Sequence, residues 1–347
     1  MLKKILSLAT FIIVLGMPLV AGAFDVKPDP LQKAEDALIG LYTGNNSIFL
    51  VREAGGKLSV AYRYLQTDED FSHSNIYPLT KEHYDSYTIN EVGPLTSAES
   101  SLKFERDKNG NGVSIRIGQY NYTRKFTRGE DGKPFRINVE QPWETLQKEA
   151  QAAKLPKQTA INKATLVDLA LVIPDLHYDL RYTTKNNIFG VPLVKSKKAY
   201  LDQEAAEALA RVQKRLKEYG YGLIIWEAYR SWSDFKLATL ALPQKYKKIL
   251  PTAEEGYPHN TGRSVDVSLY DLSNGEPVRM ISDFDELTPA QYSGFIGGNE
   301  LQRWQRDLLR EMMGLEGFVG SDMEWWHFDY IPDTKYQLLN IEPDTLQ

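Results

Sequence analysis

Four polar side chains in the C-terminal half have types and spacings that could do chemistry. His259 and Asp266 lie in His259-Asn260-Thr261-Gly262-Arg263-Ser264-Val265-Asp266, and Glu324 and His327 in Glu324-Trp325-Trp326-His327. Two imidazoles and a carboxylate form a ligand set for a catalytic zinc, and a further carboxylate three residues from the last ligand can carry protons. The chain has only five histidines, and two fall in these motifs. A His-Asp-His set accepts other divalent ions, with zinc favoured. Arg230 is a fifth candidate, placed to neutralise the oxyanion formed when a water attacks a peptide carbonyl.

These residues need elements to hold them. From Ser264 to Tyr270 the polarity alternates, with Val265, Val267 and Leu269 on one face and Ser264, Asp266 and Ser268 on the other. Asp266 is thus expected on the polar face of a strand, with His259 on the loop entering it and Gly262 permitting a close turn. Glu324 and His327 are three apart, so they converge only where the chain turns locally. Gly222 to Trp226 reads as a buried strand leading into Glu227-Ala228-Tyr229-Arg230. Ala205, Leu209, Val212, Leu216 and Tyr219 mark one face of a helix, capped by Asp202 and stopped by Gly220. Leu301, Trp304, Leu308 and Met312 mark another, stopped by Gly314. Strands and helices do not alternate regularly, which favours an α+β class over a doubly wound sheet.

The first 141 residues read differently. Lys3 and Lys4, an apolar run from Ile5 to about Val20 and then Ala21-Gly22-Ala23 have the pattern of a signal peptide over residues 1–23. Export to the periplasm or exterior follows as an expectation, with no stable membrane insertion after cleavage. Residues 24–141 are expected to form a β-rich accessory domain, a small antiparallel barrel or sandwich. Ile48 and Leu50, then Leu58, Val60, Tyr62 and Tyr64, flank Gly55-Gly56 as a hairpin. Asp107, Asn109, Asn111 and Gly112 begin like a calcium loop, but Gly118 stands where a bidentate Glu is required, so a tight turn is expected. Residues 142–160 read as a linker that can carry a short solvated helix, and 161–347 as the catalytic domain. The net charge of −5 provides no basic field for nucleic acid or anionic lipid. The chain has no cysteine, so stability rests on its cores rather than on disulfides.

Taken together, residues 164 to 335 resemble the zinc D-alanyl-D-alanine dipeptidases of the Hedgehog/D,D-peptidase fold. The likeness runs through Leu166 to Leu169, Ile173 to Asp175, Asp179 to Tyr182, Asn187 to Gly190, Leu223 to Arg230, His259 to Asp266, Phe284-Asp285 and Glu324 to His327. The N-terminal segment resembles the lipocalin-like β domains appended to some secreted hydrolases. The dipeptidase resemblance implies one zinc per chain held by His259, Asp266 and His327, with Glu324 as general base. It further implies Arg230 as stabiliser of the tetrahedral intermediate and Asp285 as partner of the substrate ammonium. The implied substrate is D-alanyl-D-alanine. The alternatives are a D,D-carboxypeptidase or endopeptidase acting on peptidoglycan stem peptides, or a non-catalytic zinc- or wall-binding module. One departure stands out: relatives commonly have a small hydroxyl residue two places before the first histidine, where this chain has Tyr257.

Overall fold

The computed structural model describes residues 24–64, 71, 74–89, 101–126, 133–247, 252–253 and 255–346. The expected signal peptide, residues 1–23, lies outside them. Among the described residues no helix is long and apolar enough to cross a membrane.

A short helix, α1 (Lys33–Asp36), precedes eight strands: β1 (Gly40–Gly44), β2 (Ser47–Ala54), β3 (Lys57–Tyr64), β4 (Ile76–His83), β5 (Ser86–Ile89), β6 (Ser101–Arg106), β7 (Gly112–Ile117) and β8 (Tyr120–Lys125). Each pairs antiparallel with its sequence neighbour and β8 returns to β1, which makes a closed barrel rather than a sandwich. Gly55 (φ +58°) and Gly56 (φ +74°) form the expected β2–β3 turn, which needs two left-handed residues. Between β6 and β7, the Asp107 carboxylate accepts from the backbone N–H groups of Asn109 (2.8 Å) and Asn111 (2.9 Å). That is a turn stabilised by its own aspartate.

Phe49, Val51, Leu58, Val60, Leu102, Phe104, Ile115 and Ile117 fill the barrel interior. Ile48 and Leu50 do not share that face. They point outward with Leu41 and Ala61, and pack against Ile281, Ala290 and Phe295 of the C-terminal unit. Strand β2 is therefore apolar on both faces, and its second apolar set covers the neighbouring unit.

That unit begins with α2 (Trp143–Ala152), in the stretch expected as a linker. Its Leu146 and Ala150 are buried in the large core, so the helix is packed rather than solvated. Next come β9 (Leu166–Asp168), α3 (Leu169–Val172), β10 (His177–Tyr178), β11 (Tyr200–Asp202), α4 (Gln203–Glu218), β12 (Tyr221–Glu227), α5 (Trp232–Ala241) and β13 (Ser264–Asp271). The unit ends with α6 (Glu300–Leu315), β14 (Phe318–Gly320) and β15 (His327–Tyr330). Five strands form one sheet in the order β10-β12-β13-β15-β14, antiparallel except for β10 beside β12, while β9 and β11 pair separately. The architecture is α+β. Helix α6 runs through Gly314 because a helix tolerates a glycine near its end; the chain turns out only at Gly317, with φ +90°.

Polar bonds frame the apolar contact between the two units. Glu53 is 4% exposed; its carboxylate accepts from the N–H of Glu300 at 2.7 Å and of Gly56 at 2.7 Å. The negative charge thus sits on the first turn of α6, where unpaired N–H groups and the helix dipole favour it. The Glu53 carbonyl accepts from Arg303 at 2.6 Å. Replacing Glu53 with Ala removes two hydrogen bonds to a buried carboxylate, so unfolding by denaturant should lose about 1–3 kcal/mol.

Candidate metal centre and active site

The sheet lines up three acidic or basic side chains in a row. Glu227 on β12 is registered with Asp266 on β13, and Asp266 with His327 on β15. His259 approaches from a 3₁₀ turn (Pro258–Thr261) that ends at Gly262, whose φ of +77° reverses the chain into β13. Glu324 joins because Trp325 and Trp326 form a turn closed by the His327 N–H bond to the Glu324 carbonyl at 3.2 Å. This is the local bend that a three-residue spacing demands.

The ring nitrogens have fixed roles. His259 Nδ1 lies 2.6 Å from the Ala228 carbonyl oxygen, which can only accept, so Nδ1 carries the hydrogen and Nε2 presents a lone pair. His327 Nε2 lies 3.2 Å from Asp329 Oδ1, which leaves Nδ1 facing inward. These inward atoms converge: His327 Nδ1 is 2.9 Å from Asp266 Oδ1 and 3.1 Å from His259 Nε2, and His259 Nε2 is 3.3 Å from Asp266 Oδ1. Three acceptors at such separations repel one another unless a cation lies between them. Tetrahedral bonds of about 2.0 Å put ligand atoms about 3.3 Å apart, so the donor set fits a zinc-sized ion. His259, Asp266 and His327 are all buried.

Electrostatics points the same way. Burial works against charge on Asp266, yet His259 and His327 outweigh it and hold the carboxyl well below the usual range. Burial likewise opposes charging of His327, but its bonds to Asp266 and Asp329 raise it well above an ordinary imidazole. Burial pushes up the carboxyls of Glu227, Glu324 and Asp285, with Glu324 adding to the rise at Asp285. Acids outnumber the fixed positive groups, and the pocket favours added positive charge.

Arg230, Asp285 and Glu324 line one small cavity with Asp266, Glu227 and Tyr257. Its volume is about 30 Å³, room for one or two waters. Arg230 Nε is 2.8 Å from Glu227 Oε1, and its guanidinium lies over Tyr182 (4.7 Å) and Tyr257 (5.3 Å). Burial disfavours the Arg230 charge, and Glu227 together with Tyr182, Tyr257 and Asp285 more than restores it. Asp285 is held at a left-handed φ of +55° and accepts from the Tyr182 hydroxyl at 2.5 Å. All six residues singled out in the sequence therefore meet at one place.

Three others were missed. Glu227 orients Arg230, and its signal was a carboxylate ending an apolar strand. Asp329 was legible as the same-face neighbour two residues beyond His327. Tyr182 comes from a distant 3₁₀ turn (Arg181–Thr183), and its only signal was its place in the Asp179 to Tyr182 motif of the resemblance.

The family model described as D-ala-D-ala dipeptidase matches residues 162–341, and the chain belongs to that family. Its C-terminal unit is accordingly a Hedgehog/D,D-peptidase-like domain, and the protein is a peptidase. The D-alanyl-D-alanine dipeptidase of Escherichia coli is 31% identical over 174 residues, 50% of this chain and 89% of that protein. The Enterococcus faecalis protein of the same name is 31% identical over 183 residues, 46% of this chain and 91% of its own. A solved structure of the LdcB LD-carboxypeptidase aligns with TM-score 0.32 and 21% identity, over 51% of this chain and 74% of that one.

Helix α5, which follows Arg230, holds a carboxyl with a measurable pH signature in its first turn. Asp234 accepts from the Ser231 hydroxyl at 2.8 Å, and burial, reinforced by Glu342, pushes its carboxyl up to about 7 against that bond. The folded protein binds this proton more tightly than the unfolded chain, whose aspartates titrate near ~4. Its contribution to stability is full below about pH 4 and is lost as pH rises through about 7. Asp234→Asn should flatten the fall in melting temperature across that window and exceed the wild type at pH 8.

Proposed function

We propose that this chain is an exported zinc peptidase that hydrolyses D-alanyl-D-alanine to two D-alanines. The observation that carries the reading is the convergence of three buried acceptor atoms beside a cavity lined by Glu324, Arg230 and Asp285. The names of the relatives support the substrate. The signal-peptide pattern of residues 1–23 supports export to the periplasm or exterior.

His259, Asp266 and His327 would hold the zinc, which would supply Lewis acidity to polarise the scissile carbonyl and to lower the pKa of an attacking water toward neutrality. Ala228 and Asp329 keep both imidazoles in the tautomers that point lone pairs inward. Glu324, raised by burial, takes the proton from the attacking water and delivers it to the leaving amine. Arg230, held charged and in place by Glu227, balances the negative oxygen of the tetrahedral intermediate. Asp285, fixed by Tyr182, offers a carboxylate to the substrate ammonium.

Glu324→Gln should retain zinc and lose at least about a hundredfold in turnover, the usual cost of removing an acid–base group. Near wild-type turnover in that variant removes Glu324 from the mechanism. His259→Ala should lose both zinc and activity; full zinc by elemental analysis contradicts the ligand assignment. Product analysis on D-alanyl-D-alanine against a stem pentapeptide tests the substrate, and cleavage of the pentapeptide with an inert dipeptide makes the enzyme a carboxypeptidase or endopeptidase instead.

A further inference from the structure

Tyr257 lines two voids at once. On one side is the catalytic cavity of about 30 Å³, with Asp266, Arg230, Asp285 and Glu324. On the other is a cleft of about 440 Å³, whose walls include Thr261, Arg263, Asp329, Tyr336 and Leu338. The larger void has the volume of a small-ligand pocket. The smaller holds little beyond a water or two until substrate displaces them.

The ring of Tyr257, the residue that both linings share, is pinned. It stacks on Phe235 at 5.0 Å and 11°, and on His259 at 5.2 Å and 17°, so three rings form a nearly parallel pile. The Arg230 guanidinium lies 5.3 Å from its centre, which adds a cation–π attraction. The backbone is fixed as well. Asn260 returns a side-chain acceptor to the Tyr257 N–H at 3.0 Å, while its own N–H donates to the Tyr257 carbonyl at 2.8 Å. Rotation of the ring would break a stack that includes a residue of the metal cluster. Tyr257 is therefore a fixed wall rather than a swinging gate.

We infer that Tyr257 is a specificity-determining partition: its ring closes the catalytic cavity off from the outer cleft and so denies the site to peptides longer than the scissile pair. The inference rests on the peptidase reading above and deepens it. With a smaller side chain at 257 the two voids merge, and the remainder of a longer peptide can lie in the cleft while its D-alanyl pair sits beside Glu324. Reach toward the metal cluster through the cleft is the second consequence, and it does not depend on catalysis.

The test is a size series, Tyr257→Phe, Tyr257→Leu and Tyr257→Ser, in the zinc-loaded full chain. The first readout is kcat/KM for D-alanyl-D-alanine, for the same pair acylated at its amine, and for the pair extended at its carboxylate by glycine. The ratio of one extended peptide to the dipeptide should rise at least tenfold in the Ser and Leu variants and stay at the wild-type value in Phe. The second readout is the rate at which 1,10-phenanthroline strips zinc, which should rise at least tenfold in the same two variants and not in Phe. Ratios and stripping rates that do not follow ring removal overturn the partition. An inactive wild type sinks the dipeptidase reading alone, since the stripping rates still decide the role of the ring. If the Ser variant does not fold, the Leu variant carries both comparisons.

Discussion

Three lone pairs aimed at one another inside a protein are unstable without a positive charge among them. Much of the C-terminal unit is arranged to create that situation and hold it. Ala228 and Asp329 each take a hydrogen from the outer nitrogen of an imidazole, and so decide which nitrogen faces inward. The β12-β13-β15 register brings Asp266 beside His327, and Gly262 folds His259 back over both. Arg230 persists in this acidic setting because Glu227 is its direct partner.

The chemistry was legible in the sequence to the extent that it depended on residue types. His259, Asp266, His327, Glu324, Arg230 and Asp285 were all visible as candidates, and the fold brings them together. What was not legible depended on partners far away in the chain. Tyr182 reaches Asp285 across 103 positions, and no local pattern announces such a bond. Tyr257 was visible as an anomaly of size, but only the two voids beside it say what the size does.

The elements followed a similar rule. Strands β12 and β13 and helices α4 and α6 were readable because local periodicity and core packing agree there. Differences arose where tertiary contact added a second demand. Helix α2 has a polar composition yet buries Leu146 and Ala150 in the large core. Asp202 stands at the N-cap of α4, but its carboxylate bonds the Thr165 N–H and Arg263 instead of the helix. Ile48 and Leu50 were readable as part of a hairpin, but hydrophobicity alone does not say which of two burials a side chain serves.

Strand β2 is apolar on both sides, with Phe49 and Val51 inward and Ile48 and Leu50 outward. In most strands a one-residue slip is forbidden because it would drown one face and strand charges in the core. Here the two faces could trade places at small hydrophobic cost. Registration must then come from the end of the strand, where Gly55-Gly56 permits one turn geometry and Glu53 has to reach the start of α6. A single carboxylate thereby keeps count for a whole barrel wall.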